Sequence, residues 1–302
     1  MGRTVREVLA AGGGLMALDT ARAAELLATA WPAAAATGPQ VLAGDLTRYT
    51  RERGLAVMPV RGLLTPNSEL LERYLGWATY RGITEACAEL AADEAVSAVV
   101  VEFDTPGGYT LGIGDAVTAL RDLAAVKPVH ALAAPLAASA GYWLASQARE
   151  LVMTPGAAVG SIGVAVTAAA NVAPGAASGV QLFDFTSRHA RAKWPDPATE
   201  DGKAEIRRGL DQTEARFHAA VAEGRGIAPE DLAARLSVSD DPEDGGAVFD
   251  PAEALARGLA DRIETRAAFY ARLRAAHAPA PRKGMARGAR ALAAAARAKA
   301  RL

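Results

Sequence analysis

A serine at position 139 stands among small residues, directly before an apolar run that is typical of a buried helix. The stretch reads APLAASAGYWLAS over positions 134–146. Small neighbours such as Ala140 and Gly141 allow a substrate or another backbone to approach the hydroxyl closely. A hydroxyl in that setting can be the nucleophile of acyl transfer, although an ordinary buried helix begins in the same way. This stretch alone leaves both interpretations open.

A glycine pair closes another apolar run, in the stretch EFDTPGG over positions 102–108. Glycines at the carboxyl end of a strand leave backbone N–H groups free to face a ligand, and open α/β sheets bind ligands at that edge. The N–H groups of Gly108 and Ala140 could then hold one developing oxyanion. Such donors are each worth roughly 2.7–4 kcal/mol in the transition state. A plain turn between a strand and a helix would account for the same glycines.

The serine also needs a base, and the chain offers four histidines and five lysines. No histidine lies between positions 131 and 188, although His189 could reach Ser139 through folding. A desolvated lysine can lose its proton and act as a general base, whereas arginine cannot. Because the chain uses arginine for most of its cations, a retained lysine such as Lys193 is a candidate, with Lys203 as an alternative.

Alternating strand and helix patterns surround these residues. The runs LAVMPVRG (55–62), VSAVVVEF (96–103) and PVHALAA (128–134) predict strands, the second of them buried as in a parallel sheet. Helical patterns lie between them, and a long amphipathic helix is predicted within 197–224. A strand, a helix that begins with proline and a last strand follow at 248–263. This order indicates an α/β fold.

The composition excludes several classes of protein. With 51% hydrophobic residues the chain is globular, and its net charge of −1 gives no overall field for nucleic acid or an anionic membrane. A single cysteine, Cys87, excludes an internal disulfide and a cysteine-based zinc site. No apolar run is long enough to predict a membrane span, and the start of the chain is unlike a signal peptide. We therefore expect a cytoplasmic protein without a cofactor or metal.

Both ends of the chain differ from its middle. Residues 1–48 predict a small helical extension with a loose linker, ahead of a main domain at 49–268. Residues 269–302 form a basic, low-complexity tail. From Thr265 onward there are ten Lys or Arg and no acidic residue, so the rest of the chain carries −11. Such a tail could dock on another protein or a neighbouring subunit, or be a solvated, dispensable end.

Several motifs together resemble the signal peptide peptidase A-like serine peptidases. They are DTPGG, SAGYWLAS, VGSIGV (159–164), a lysine about fifty residues after the serine, and VFDPAEALARGLADRIE, in the family's order from about Leu55 to Glu264. The stretches AVMPVRGLL, YRGI, SAGYW and VAEGRGI are similar to the branch of prohead proteases of tailed phages. The resemblance implies a Clp-protease/crotonase-like fold, a spiral of ββα units, and cleavage of scaffold or capsid proteins.

Carried over residue by residue, the family pattern implies a Ser-Lys dyad. Ser139 is then the nucleophile and Lys193 the general base, while Ser161 hydrogen-bonds the lysine amine. The N–H groups of Gly108 and Ala140 form the oxyanion hole. Family members with one catalytic domain per chain assemble into rings whose sites lie between subunits. Because the glycine-pair and GSIG motifs occur once here, we expect a homo-oligomer.

Other functions compete with a phage endopeptidase. A peptidase that degrades signal peptides or membrane fragments would share the motifs, but the chain lacks the expected span or signal. A catalytically silent capsid assembly or scaffolding protein would have no need of Ser139 and Lys193. A crotonase-type acyl-CoA enzyme would share the glycine oxyanion hole and have no use for a Ser-Lys pair. The expected partners are polypeptide substrates and copies of the same chain, in the host cytoplasm or inside the prohead, and no nucleic acid.

Overall fold

The computed structural model shows a main mixed sheet with helices on both faces and a small second sheet. It describes residues 4–10, 16–18, 20–31, 47–168, 186–188 and 190–277. The helices are α1 (Val5–Ala10), α2 (Thr20–Ala28), α3 (Glu69–Leu75), α4 (Tyr80–Ala92), α5 (Ile113–Val126), α6 (Ala140–Ala145), α7 (Glu200–Arg225), α8 (Pro229–Leu236), α9 (Pro251–Ala256) and α10 (Arg266–Ala276). The strands are β1 (Met16–Leu18), β2 (Thr50–Glu52), β3 (Leu55–Arg61), β4 (Ala98–Thr105), β5 (Gly107–Tyr109), β6 (Val129–Ala138), β7 (Glu150–Met153), β8 (Ala158–Gly160), β9 (Val248–Phe249) and β10 (Arg262–Ile263).

The main sheet has eight strands, most of them parallel. Their order is β10-β7-β6-β4-β3-β2, with β8 joined to β6 and β9 joined to β8. Only β2 and β9 run antiparallel, to β3 and β8 respectively. β6 is long enough to pair with two strands, since its first half pairs with β7 and its second half with β8. The parallel order, with helices between strands, confirms the α/β class that the sequence predicts.

β4 and β6 form the centre of the sheet because most of their side chains are apolar. In β4 every residue except Asp104 is buried, and in β6 the first five residues are all buried. Strands that are apolar on both faces need cover on both faces. Side chains of α4, α5, α6 and α7 belong to the large hydrophobic cluster on one face. Phe269 and Leu273 of α10 pack on the other face, against β3, β4, β6 and β7.

Helix α10 is not among the elements that the sequence patterns predict. Phe269 and Leu273 are buried, and burying side chains of this size contributes about 1.5–3 kcal/mol each. Glu102 of β4 lies under the helix and is only 5% exposed. It accepts hydrogen bonds from the Arg266 guanidinium and from the Tyr270 hydroxyl, both at 2.7 Å. These partners compensate the cost of burying a carboxylate, so α10 is held by polar as well as apolar contacts.

The longest helix, α7, begins and ends with well-formed caps. The hydroxyl of Thr199 accepts a hydrogen bond from the N–H of Gly202 at 3.0 Å, and Gly226 ends the helix with φ 62°. Its buried face includes Phe217, Ala220 and Val221, as the predicted amphipathic pattern requires. Within the described ranges, no helix combines the length and the apolarity that crossing a membrane takes.

The N-terminal segment packs against the residues that follow β3. A small hydrophobic cluster joins the two regions: Val5, Leu18, Ala23, Leu63, Leu71 and Trp77. β1 pairs antiparallel with β5 in a separate two-stranded sheet. The sequence predicts helices in this segment but no strand. The predicted linker falls largely within 32–46, which lies outside the described residues, and so does most of the basic tail, 278–302.

Cys87 lies inside α4 and is 1% exposed. Burial raises the pKa of its thiol to about 12. A thiol with so high a pKa carries almost no thiolate at neutral pH, and the thiolate is the nucleophilic form. Cys87 therefore belongs to the core and has no part in a site.

Candidate active site

Three parallel strands end side by side at one edge of the sheet, and predicted site residues follow them directly. In the register, the last residues of β4 lie beside those of β6, and Ala138 of β6 lies beside Gly160 of β8. The chain continues from these strand ends into Gly107–Gly108, Ser139 and Ser161 respectively. Ligands of α/β sheets bind at the carboxyl ends of parallel strands. The fold therefore brings these residues to one place.

Ser139 occupies the sharp turn between β6 and α6. Its backbone has φ 53° and ψ −121°, a conformation that glycine adopts freely and serine adopts only under strain. Its N–H donates to the C=O of Gly160 at 2.7 Å, and its C=O accepts from the N–H of Trp143 at 2.9 Å. A serine on a strained turn between a strand and a helix is the arrangement of a nucleophile elbow.

The hydroxyl of Ser139 has no hydrogen-bond partner among the described residues. The residue is nevertheless buried, since only 1% of its surface is exposed. A buried polar atom without a partner costs about 1–3 kcal/mol. Native proteins retain few such atoms, and a catalytic role is one of the reasons for which they do. The strained backbone and the unpaired hydroxyl together distinguish Ser139 from an ordinary helix cap.

Helix α6 is anchored on three sides, which fixes the position of Ser139. The hydroxyl of Tyr142 donates to the C=O of Leu259 at 2.8 Å. Trp143 stacks on Phe217 of α7, with ring centroids 4.4 Å apart and planes within 6°. Gly141 lies so close to β4 that a Cβ there would stand 2.4 Å from a methyl group of that strand. A side chain at Gly141 would therefore push the serine out of place.

The glycine pair begins strand β5, which pairs with the segment after β3. The N–H of Gly107 donates to the hydroxyl of Thr105 at 3.1 Å, and its C=O accepts from the N–H of Leu64 at 2.9 Å. The N–H of Tyr109 donates to the C=O of Leu64 at 3.0 Å. A Cβ on Gly108 would lie 2.0 Å from the Leu64 oxygen, so only glycine fits there.

The N–H of Gly108 points away from Leu64. Main-chain groups of successive strand residues point to opposite sides, and both neighbours, Gly107 and Tyr109, bond to Leu64. The Gly108 N–H therefore faces the other edge of β5. Ala140 is the first residue of α6, and the first N–H groups of a helix have no acceptor within it. Ala140 thus has an N–H without an acceptor in its helix, whereas the Gly108 N–H faces the edge of β5 that pairs with β1.

Ser161 follows β8 in the way that Ser139 follows β6. Its φ is also 53°, and its N–H donates to the C=O of Ala247 at 2.6 Å. It is partly exposed and lines a cavity of about 770 Å³. Ser139 is not among the residues that line this cavity. The two strained serines therefore end neighbouring strands, one buried and one open to a cavity.

The cavity beside Ser161 is acidic and contains a histidine. Asp211 and Glu214 of α7 line it with Glu243 and His218. Burial lowers the pKa of His218, while the charge of Glu214 acts in the opposite direction. His218 is not among the site residues that the sequence predicts, because it lies far along the chain from the serine motif. The one sequence signal for His218 is that it lies a helical turn after Glu214 on the predicted long helix.

Neither candidate lysine contacts Ser139 within one chain. Lys193 ends a short 3₁₀ helix, Arg191–Lys193, and its side chain is exposed. The Ser139 hydroxyl has no partner among the described residues, which excludes a bond from the Lys193 amine. Lys203 of α7 forms an ion pair with Glu200 at 2.8 Å. The described chain thus assembles the serines and the glycine pair and leaves Lys193 at the surface.

The remaining histidines lie elsewhere or outside the described residues. His130 stands at the start of β6, at the end opposite Ser139, with its Nδ1 2.7 Å from a Glu150 oxygen. Its ring also contacts His277 at 3.3 Å. His189 falls outside the described residues. Among those residues, no three or more His, Cys, Asp or Glu side chains group as metal ligands would.

Comparisons with known proteins find relatives that are peptidases or come from phages. The family model described as peptidase family S49 matches residues 121–278. The capsid assembly protease C of Escherichia phage lambda is 30% identical over 250 residues, which are 81% of this chain and 53% of the relative. The head-tail preconnector protein GP5 of Enterobacteria phage P21 is 30% identical over 218 residues, which are 71% of this chain and 42% of the relative.

The chain therefore spans about half the length of the curated relatives that it matches. Among solved structures, a crystal structure of an enoyl-CoA hydratase/isomerase family member matches 75% of this chain and 73% of its own chain. Its TM-score is 0.39 and its sequence identity 16%. So slight a likeness carries no inference about activity.

Proposed function

The chain belongs to peptidase family S49, and from this premise we propose that it is a serine endopeptidase with Ser139 as its nucleophile. The observation that carries the proposal is the Ser139 hydroxyl, which is buried and unpaired on a strained turn where the site strands end. Lys193 is the general base, and Ser161 accepts or donates a hydrogen bond at the lysine amine. The N–H groups of Gly108 and Ala140 form the oxyanion hole.

The reaction is acyl transfer to the serine and then to water. The Ser139 oxygen attacks the carbonyl carbon of a peptide bond while a neutral lysine amine takes its proton. The carbonyl oxygen becomes an oxyanion, which the two N–H donors stabilise. The C–N bond breaks, and the leaving amine receives the proton from the lysine. Water then hydrolyses the ester and restores the serine.

We place the complete site between two copies of the chain. Two observations support this arrangement: Lys193 is exposed, and the Ser139 hydroxyl has no partner among the described residues of one chain. A neighbouring subunit could supply the lysine and bury it at the same time. Burial at an interface would also favour the neutral amine that a general base must be. The active form is then a homo-oligomer.

The substrates that we propose are scaffold or capsid proteins of a phage. The support comes from the relatives, of which one is named a capsid assembly protease and the other a head-tail preconnector protein. An unfolded polypeptide can present an extended backbone to the edge of a strand, so we expect activity on unfolded polypeptides as well.

The test of this function is digestion of a denatured polypeptide, casein, with a fluorophosphonate as the active-site probe. The probe should react with one serine per active site, stop digestion, and leave its added mass on the peptide that contains Ser139. Such reagents label a serine that a neighbouring base activates. Digestion that continues after complete labelling, or label found only on other serines, would contradict the proposal.

Mixing two inactive variants tests whether the site lies between subunits. Ser139→Ala and Lys193→Ala should each be inactive alone and should regain activity when they are assembled together. In a ring of randomly mixed subunits, about a quarter of the interfaces would pair an intact serine with an intact lysine. Casein digestion should therefore recover to about a quarter of the wild-type rate. Mixed oligomers that stay inactive would place both residues in one subunit.

A further inference from the structure

The edge of β5 that Gly108 faces is already occupied by the chain's own N-terminal segment. β1 runs antiparallel to β5, with Met16 opposite Tyr109, Ala17 opposite Gly108 and Leu18 opposite Gly107. An extended peptide that adds to a strand edge is a common way for a protein to bind a polypeptide. β1 is therefore bound as a polypeptide ligand would be.

In this register, one carbonyl group of β1 faces the N–H of Gly108, which is a proposed oxyanion donor. Gly107 and Tyr109 bond to Leu64, so the N–H and C=O of Gly108 point to the β1 side. In an antiparallel pair, a residue whose N–H and C=O face the partner strand exchanges two hydrogen bonds with the residue directly opposite. The C=O of Ala17 is then the acceptor for the Gly108 N–H. The peptide bond that follows this carbonyl joins Ala17 to Leu18.

Leu18 is bound on the far side of that peptide bond. It is 9% exposed and belongs to the hydrophobic cluster that includes Leu63 and Trp77. It also lines the cavity that Ser161 lines. The segment thus extends from the β5 edge to the cavity, with the Ala17–Leu18 bond between the two. Ser139, which follows the neighbouring strand end, is buried as well.

We propose that Met16–Leu18 is a tethered substrate strand, and that Ser139 of the same chain cleaves the Ala17–Leu18 bond. This inference rests on the proposed function. The Ser139 oxygen forms an ester with the Ala17 carbonyl carbon, the C–N bond to Leu18 breaks, and the Leu18 nitrogen leaves as an amine with the proton. Water hydrolyses the ester, which gives an Ala17 carboxylate and a chain that begins at Leu18. Until then, the strand excludes other substrates.

The experiment follows the N-terminus and casein digestion in the same full-length preparations. Mass spectrometry of the wild-type chain should find a product that begins at Leu18, and this product should be absent from Ser139→Ala. Leu18→Asp should release the strand, because it places a carboxylate at a cavity that Asp211, Glu214 and Glu243 already line. We expect self-cleavage to fall at least tenfold and the initial rate of casein digestion to rise severalfold.

The matched control is Val126→Asp, which makes the same kind of change at an exposed residue that ends α5. It should leave both rates unchanged. Opposite changes in the two rates of Leu18→Asp cannot arise from general loss of stability, which would lower both. A wild-type chain that digests casein while the Ala17–Leu18 bond stays intact overturns the inference. A chain that digests neither itself nor casein, and takes up no fluorophosphonate, overturns the proposed function instead.

Discussion

Replacing Ser139 with alanine should abolish casein digestion while leaving the fold intact. Loss of the nucleophile in a serine peptidase lowers kcat by about 10⁴–10⁶-fold, since only binding and the oxyanion hole remain. The fold should tolerate the change because the lost oxygen has no hydrogen-bond partner among the described residues. Removing an unpaired buried hydroxyl should even raise the unfolding temperature slightly. Casein digestion and thermal unfolding monitored by circular dichroism check the two expectations.

The matched control for this variant is Ser97→Ala. Ser97 is exposed and directly precedes β4, at the edge of the sheet away from the site. Its replacement should change neither digestion nor unfolding. Substantial proteolysis by Ser139→Ala, at a rate above one hundredth of the wild type, would remove Ser139 from the mechanism.

Replacing Lys193 with arginine should inactivate the enzyme as completely as replacing it with alanine. Arginine keeps the positive charge but cannot lose its proton, so it cannot accept one from the serine. General-base catalysis contributes about 10²–10⁴-fold, and we expect a loss of that size in kcat. The rates of casein digestion by Lys193→Arg and Lys193→Ala, each compared with that of the wild type, measure this loss.

Two further variants identify the base by exclusion. Lys203→Arg should be near normal, since Lys203 is engaged with Glu200 on the surface of α7. His218→Gln tests the histidine that shares a cavity with Ser161. Retained activity in Lys193→Arg together with loss in His218→Gln would replace the Ser-Lys dyad by a Ser-His mechanism.

The central strands and the serine turn could be predicted from the sequence because their signals are local. The run VSAVVVEF is apolar except for Ser97 and Glu102, and it becomes β4 with a shift of two residues. The strand PVHALAA continues in the structure to Ala138, which brings Ser139 directly to its end. The small residues around Ser139 correspond to close contacts of α6 with the sheet. Each of these features follows from a contiguous pattern of side chains.

Other parts of the site depend on contacts between distant segments, and no local sequence pattern predicts such contacts. β1 has three residues and exists as a strand through its pairing with β5. His218 enters the cavity of Ser161 because Phe217, its neighbour, stacks on Trp143. α10 is held in place by hydrogen bonds to the buried Glu102. In the sequence, Glu102 is a single carboxylate inside an apolar run. In these cases tertiary packing decides the structure, and local propensity does not.

The positive φ at Ser139 and Ser161 makes glycine the residue that either position would accept most easily. Both residues have φ 53°, and a non-glycine residue held there costs about 1–3 kcal/mol. Glycine would relieve much of that cost at either position. Replacing either serine with glycine should therefore raise the free energy of unfolding while it removes the hydroxyl. At these two positions, stability and the chemistry of a hydroxyl are in conflict.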